Sequence, residues 1–210
     1  MRLYYFTSYE FAINDIKEKR IKISLLKDVN DPYEVSALKV SRKNRKELIP
    51  TEFLFSRENI GLICFSSSYE CPLMWAHYAE KHKGVCLVFE VNKVNLYNVK
   101  YSTKLLRFDN SRNLGLGDAE KIASTKYYKW SYEREYRKFV KFDLAKFDEI
   151  TKCYFESFSE DIKLVEVILG CKYDKEVLKE MLDYLVSQAE LTNNFKITKK
   201  SIHNSKAPKC

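Results

Sequence analysis

Apolar and polar positions alternate along this chain with two different periods, and the switches between them mark its elements. Arg2–Phe6 (RLYYF) reads as a short aromatic strand. Thr7 or Ser8 then offers an N-cap, and Phe11, Ile13 and Ile16 continue on a helix toward Lys19. Ile21, Ile23 and Leu25 alternate with Lys22 and Ser24, the two-residue period of a strand. Asp28–Glu34 (DVNDPYE) is a loop by composition, because Pro32 keeps Asp31 out of the helical region. Gly61–Phe65 (GLICF) predicts a buried strand, followed by Ser66, Ser67 and Ser68. Leu73, Met74, His77 and Tyr78 are spaced for one helix face, and Val85–Val91 (VCLVFEV) is the most apolar strand pattern. Val99 and Tyr101 suit a short strand, Ala119–Tyr128 a helix, and Tyr136–Val140 and Leu164–Leu169 two further strands, the last ended by Gly170. Tyr173–Ala189 is an amphipathic helix with Val177, Leu178, Met181, Leu182, Leu185 and Val186 on one side, and Phe195–Ile197 returns as a last strand.

Strands and helices mix without strict alternation, and neither a G-x-G-x-x-G nor a P-loop stands in the sequence. The class expected is therefore α+β, with mixed, mostly antiparallel central sheets flanked by helices. Length and composition fit one domain over residues 1–198 with a basic tail at 199–210. The 45% hydrophobic content excludes a disordered chain, and nine Gly and Pro in total exclude a fibrous one. The run MRLYYFTSYEF has no apolar signal core, and no stretch reaches the length of a membrane span, so a cytoplasmic protein is expected. Six cysteines without a C-x-x-C pair then read as thiols rather than disulfides or a zinc knuckle.

Three segments carry polar residues that a core does not need. They are Asn30–Glu34, then Ser66–Ser68 running on to Met74–Tyr78 and Gly84, and finally Trp130–Arg137 (WSYEREYR). Each alone has a plain structural use: a turn, a packed helix, a solvated strand edge. Taken in order they resemble the DUF2971-like bacterial domain of unknown function. That family shows an aromatic first strand, N-D-P-[FY]-E, a Ser run, M-W-x-H-Y, a G-led apolar strand, W-x-x-E-x-E-Y-R and an apolar strand ending in Gly. Asn30–Glu34, Met74–Tyr78, Gly84–Phe89, Trp130–Arg137 and Val165–Gly170 match those blocks. The family name conveys no activity.

The same order of blocks is distantly similar to ADP-ribosyltransferases, with an early aromatic strand, a Ser block and a late E-x-E before a strand. The early strand here has Tyr4-Tyr5 rather than a His or Arg, and the Ser block is not S-T-S. This second resemblance implies an ADP-ribosyltransferase-like fold and an enzyme that transfers ADP-ribose from NAD to a macromolecule, as bacterial toxins and phage-defence effectors do. It implies NAD as substrate and no metal. Breaking the nicotinamide–ribose bond develops oxocarbenium character, as in glycoside hydrolysis, and a carboxylate beside the sugar stabilises it. Glu135 suits that role, and Glu133 would orient or deprotonate the acceptor. On a regular strand residues two apart share a face, so Glu133, Glu135 and Arg137 would converge, the Arg offsetting two like charges. Tyr33, Trp75 or Tyr78 would stack on a ring of the cofactor. Tyr5, Asn30, Asp31, Ser66, Ser67, His77 and Arg137 complete the candidate cofactor site.

Two other readings stay open. A non-catalytic nucleic-acid-binding module is suggested by the formal charge of +8. That excess sits in two segments, residues 39–47 and 196–210, which would contact a polyanion while the remaining body is nearly neutral. A metal-dependent nuclease using Asp31, Glu34, Glu133 and Glu135 is the third, without a recognisable acid motif behind it.

Overall fold

The computed structural model describes residues 1–26, 59–104, 106, 115–142, 147–176, 179, 184 and 196–199. It is an α+β chain with few helices and mostly antiparallel strands, and it divides into two compact units that interleave along the sequence. The first takes Met1–Ile21, Phe65–Val94 and Ser157–Cys210, the second Lys22–Cys64 and Asn95–Glu156. Among the described residues no helix is long and apolar enough to cross a membrane, and no disulfide joins Cys64, Cys71, Cys86, Cys153 or Cys171.

In the first unit, strand β1 (Arg2–Thr7) runs straight into helix α1 (Tyr9–Lys17). Ser8 is the N-cap, its Oγ accepting the Phe11 N–H at 3.3 Å, with Glu10 in the first turn and Lys17 in the last to suit the helix dipole. Ala12, Ile13 and Ile16 are buried, whereas Phe11 is 59% exposed and lies off the face assigned to it. Strand β2 (Arg20–Ile23) follows with Ile21 and Ile23 buried, its last two residues already in the second unit. Strand β3 (Ile60–Ser66) crosses the unit boundary, so its last residues, Phe65 and Ser66, belong to the first unit. Helix α2 (Pro72–Tyr78) starts with Pro at its first turn, where a missing N–H is harmless. It turns Met74 and Trp75 inward and leaves Leu73 and His77 exposed, so the predicted helix is present but rotated from the expected face.

Strand β4 (Val85–Val91) is buried on both faces except at Glu90, which is why its sequence is apolar throughout. It pairs antiparallel with β1 from Arg2↔Glu90 to Thr7↔Val85. On its other side it pairs antiparallel with β11 (Ile162–Leu169), which is bulged between Leu164 and Glu166. Strand β12 (Lys196–Lys199) then adds in parallel to β11, as in Val167↔Ile197. A parallel neighbour requires a crossover. Of the segment expected as a helix at 173–189, residues 175, 176, 179 and 184 are helical, 173 and 174 are not, and the others lie outside the described residues. Phe65 packs edge-on against Phe89 at 5.9 Å and Phe89 against Phe158 at 5.3 Å, filling the core with offset aromatics.

The second unit holds β5 (Leu96–Asn98), antiparallel to β8 (Glu135–Lys141), with β8 beside β3. Strands β6 (Lys100–Ser102) and β7 (Thr125–Tyr127) form a parallel pair, and β9 (Phe147–Asp148) and β10 (Cys153–Ser157) an antiparallel one. Helix α3 (Leu116–Ala123) packs Ala119, Ile122 and Ala123 with Leu26, Ile60, Leu62 and Phe139. The sequence pattern predicts this helix over 119–128, and the structure corrects that. Ser124 Oγ donates to Glu120 O at 2.8 Å and Thr125 Oγ1 to Lys121 O at 2.8 Å, closing the helix, after which β-branched Thr125 enters β7. Strand β10 was not foreseen, because its residues are half-buried without alternation. Asp28–Glu34 and residues 39–47 lie outside the described residues.

One crossing in the first unit leaves no room for side chains. Gly170 N–H donates to Gly84 O at 2.9 Å, and a Cβ on Gly170 would stand 2.2 Å from His82 O and 2.7 Å from Gly84 O. The intervening turn is left-handed at three successive residues, Glu80, Lys81 and His82, at roughly 1–2 kcal/mol each. Backbone bonds hold it, Gly84 N to Ala79 O at 3.0 Å and Lys172 N to His82 O at 3.0 Å. Gly170→Ala is therefore expected to cost about 1–3 kcal/mol through backbone overlap. Gly117→Ala, with nothing near the added methyl, is expected to stabilise α3 by about 0.5–1 kcal/mol. Thermal melting of the two variants checks this, and equal shifts would refute the crossing as a constraint.

Candidate active site

The charged segment at the start of β8 is buried rather than solvated. Arg137 is wholly inaccessible, Glu135 is 5% exposed, and Glu133 and Lys126 are buried as well. Four local features bring them together. Closure of α3 at Ala123 sends the chain into β7, whose pairing Tyr101↔Lys126 fixes the lysine. A short 3-10 helix, Tyr128–Glu133, then reverses the chain, and Arg134 takes a left-handed turn (φ 46, ψ 47) into β8. Within β8, Glu135 and Arg137 stand two apart and so share a face.

Arg137 grips Glu135 with two nitrogens, Nε to Oε1 at 2.8 Å and Nη2 to Oε2 at 3.2 Å, the fork geometry suited to a carboxylate. Its Nη1 donates to Ala123 O, so the same guanidinium also satisfies the end of α3. Lys126 Nζ stands 2.6 Å from Glu133 Oε2 and 2.9 Å from Glu135 Oε2, bridging the two acids. Tyr101 Oη accepts the Glu135 backbone N–H at 2.8 Å, and Lys126 Nζ lies 5.4 Å from the centre of the Trp130 ring. The expected compensation by Arg137 is present, and Lys126 supplies a second cation that the residue spacing does not reveal. The expected reason for convergence is corrected: Glu133 ends a 3-10 helix and is not a strand neighbour of Glu135.

The electrostatics follow from burial and pairing. Burial alone would raise the Glu135 carboxyl, but Arg137 and Lys126 outweigh it and hold it down at about 2. Burial, followed by the Glu135 charge, pushes the Cys64 thiol up, so it stays protonated. Burial likewise raises the Tyr101 phenol, with Glu135 and Glu133 adding to the shift. The centre is thus an anionic pair locked by two cations, with neutral thiol and phenol beside it. It can stabilise positive charge and accept a proton, and Glu135 cannot act as a general acid at neutral pH.

The remaining candidates fall elsewhere. Asn30, Asp31 and Tyr33 lie outside the described residues, as does Glu34. Tyr5, Ser66, Ser67, Trp75, His77 and Tyr78 belong to the first unit, whereas Glu133, Glu135 and Arg137 belong to the second. Trp75 is a core side chain, wholly buried, its ring edge-on to Phe6 at 5.2 Å and its Nε1 donating to Tyr69 O at 2.6 Å. Ser66 is buried and closes a small turn, its Oγ donating to Ser68 O at 2.9 Å and accepting from Ser68 N at 3.2 Å. Tyr5 is half-buried with its ring 6.3 Å from Phe65, Ser67 and His77 are exposed, and Tyr78 is half-buried, 6.1 Å from the His77 ring. Among the described residues no three His, Cys, Asp or Glu side chains are grouped to hold a metal ion, and Cys64 lies in a different unit from Cys71 and His77.

Residues 74–138 match the family described as "Protein of unknown function (DUF2971)". The matched stretch contains both M-W-x-H-Y at Met74–Tyr78 and W-x-x-E-x-E-Y-R at Trp130–Arg137, and it bears out the DUF2971-like reading there. The Asn30–Glu34 block and the strand ending at Gly170 lie outside it. No curated protein and no solved structure matches the chain.

The Glu135 pairing fixes how stability responds to acid. Its carboxyl sits below the ordinary 4.5 in the folded chain, so its stabilisation is complete above that value and is lost as pH falls toward about 2. Urea midpoints are expected to drop between about pH 5 and pH 2, and to drop less in Glu135→Gln. Arg137→Leu strands a buried carboxylate and is expected to cost about 3–5 kcal/mol at neutral pH. A midpoint for Arg137→Leu equal to that of the parent would remove the network from the account of stability.

Proposed function

We propose that this DUF2971-like chain is a NAD-consuming transferase of ADP-ribosyltransferase type, acting on a macromolecular acceptor from the centre around Glu135. One observation carries the reading: two buried carboxylates, Glu133 and Glu135, share a single ammonium at the entry to a late antiparallel strand. Burying four charges gives no more stability than apolar packing of the same volume, whereas a reaction through a sugar cation needs a fixed anion in a dry setting.

The chemistry assigns a role to each group. As the nicotinamide–ribose bond breaks, its electron pair goes to the departing nicotinamide, and positive charge grows on the ribose. Glu135, held ionised at neutral pH, faces that charge without having to lose a proton first. Arg137 keeps the carboxylate in one orientation through its two-point grip. The acceptor oxygen or nitrogen then bonds to the sugar, and its proton passes to Glu133. Lys126 holds both acids in the structure, so this reading requires the cationic ring of the dinucleotide to take the place of the lysine beside them.

The reading predicts that millimolar NAD+ raises the melting temperature of the intact protein. Glu135→Gln keeps that shift but lowers NAD+ hydrolysis or transfer at least about a hundredfold, the size of a lost charge-stabilising group. The melting curve and release of nicotinamide measure the two effects. Absence of any NAD+-dependent shift, or full turnover by Glu135→Gln, would overturn the assignment.

A further inference from the structure

The residues that lead into the acid centre form an unusual surface. Tyr127 and Tyr128 are 43% and 37% exposed, large rings that a core would normally take in. They meet edge to face at 4.9 Å, and Lys129 Nζ lies over the Tyr128 ring at 4.8 Å. Strand β6 lies alongside, with Ser102 opposite Tyr127, and its exposed Lys100 and the following Lys104 flank the same edge. Across residues 100–104 and 124–132 there are four lysines and no Asp or Glu. One of them, Lys126, points inward to the acids, so the exposed three face solvent without a local counter-charge from these segments.

We propose that this Tyr127–Tyr128–Lys129 surface, together with Lys100 and Lys104, binds single-stranded nucleic acid, with bases stacked on the tyrosines and phosphates at the lysines. The inference rests on the transferase reading only in making that strand the acceptor; the binding itself stands on the surface. Two rings beside isolated lysines match a ligand that alternates flat π-faces with single negative charges. An acidic peptide would use the lysines but would have no call on exposed tyrosines. Double-stranded DNA keeps its bases stacked on each other and offers no free face to a ring. The surface also differs from the basic segments 39–47 and 196–210, which carry charge with no aromatic residue among them.

The test uses the full chain and a fluorescein-labelled oligothymidylate of about 16 nucleotides, read by fluorescence anisotropy. Binding is expected at about 50 mM salt and to weaken steeply by about 200 mM. Tyr127→Ala with Tyr128→Ala is expected to weaken it about tenfold or more, since stacking on each ring is lost. Lys129→Ala is expected to reduce the slope of log affinity against log salt by about 0.7, one phosphate on a single strand. All three side chains are exposed, and an unchanged melting temperature establishes that the variants are folded. No binding of the oligonucleotide, equal binding by the double tyrosine variant, or equal competition by poly-glutamate would each overturn the proposal. The transferase reading fails separately: tyrosine-dependent binding with no NAD+ response leaves this surface standing and removes the acceptor role alone.

Discussion

Much of the second unit depends on one ion pair, the two-point contact between Arg137 and Glu135. An unpaired guanidinium or carboxylate in that position carries a desolvation penalty of several kcal/mol, so removing either charge costs stability. Their pairing recruits further groups because a carboxylate has more acceptor sites than one arginine fills. Lys126 takes the second side of Glu135 and brings in Glu133, leaving two anions against two cations. The remaining arginine nitrogen satisfies Ala123 O, so the end of α3, the start of β7 and the start of β8 are tied to a single neutral cluster. Such a cluster forms as a whole or not at all, which makes it a specific device for holding one chain path.

The first unit meets its tightest constraint with backbone contacts. Its strands carry their apolar residues on β4 and β11, and the limiting contact is where Gly84 and Gly170 pass within hydrogen-bonding distance. The left-handed run at Glu80–His82 is unfavourable residue by residue, and it persists because its carbonyls are taken up on both sides, His82 O by Lys172 and Ala79 O by Gly84. The close approach explains why glycine stands at both crossing points, and the turn explains the abrupt change of direction between α2 and β4. A buried acid on β11 extends the theme: Glu166 accepts from Arg2 and from Thr198, linking β11 to β12 through side chains as well as through the ladder.

Much of this was legible in the sequence where one period dominates. The strands at 2–7, 60–66, 85–91 and 162–169 follow apolar runs, and Ser8 caps α1 as its chemistry requires. What the sequence concealed is non-local. The face of α2 turns on which neighbours it meets, so Met74 and Trp75, not His77, point inward. The end of α3 is set by hydroxyls of Ser124 and Thr125 and by an arginine thirteen residues beyond Ser124. Of the acid centre, Glu133, Glu135 and Arg137 were recognisable by motif, because a core does not need them. Lys126 was not, since the pattern places it inside a helix over 119–128, and only the end of α3 and the pairing of β6 with β7 turn it toward the acids. The candidate residues on the Ser block and α2 came from block order, which says nothing about which compact unit a side chain joins.

The pairing inside the second unit also decides what its surface presents. Glu133 and Glu135 are the only acids between Thr125 and Lys141, and both direct their charge inward. Lys129, exposed four residues before Glu133, therefore meets solvent with neither of these two carboxylates turned toward it, even though the body of the chain is close to neutral. A local positive potential arises from how charges are partitioned between interior and surface, not from an excess of basic residues. The same step accounts for the exposed rings: once Lys126 has entered the cluster, the short 3-10 helix that follows carries Tyr128 and Lys129 outward and returns Glu133 inward. Acid centre and aromatic–lysine surface are thus two faces of one turn of chain, built by the same short segment.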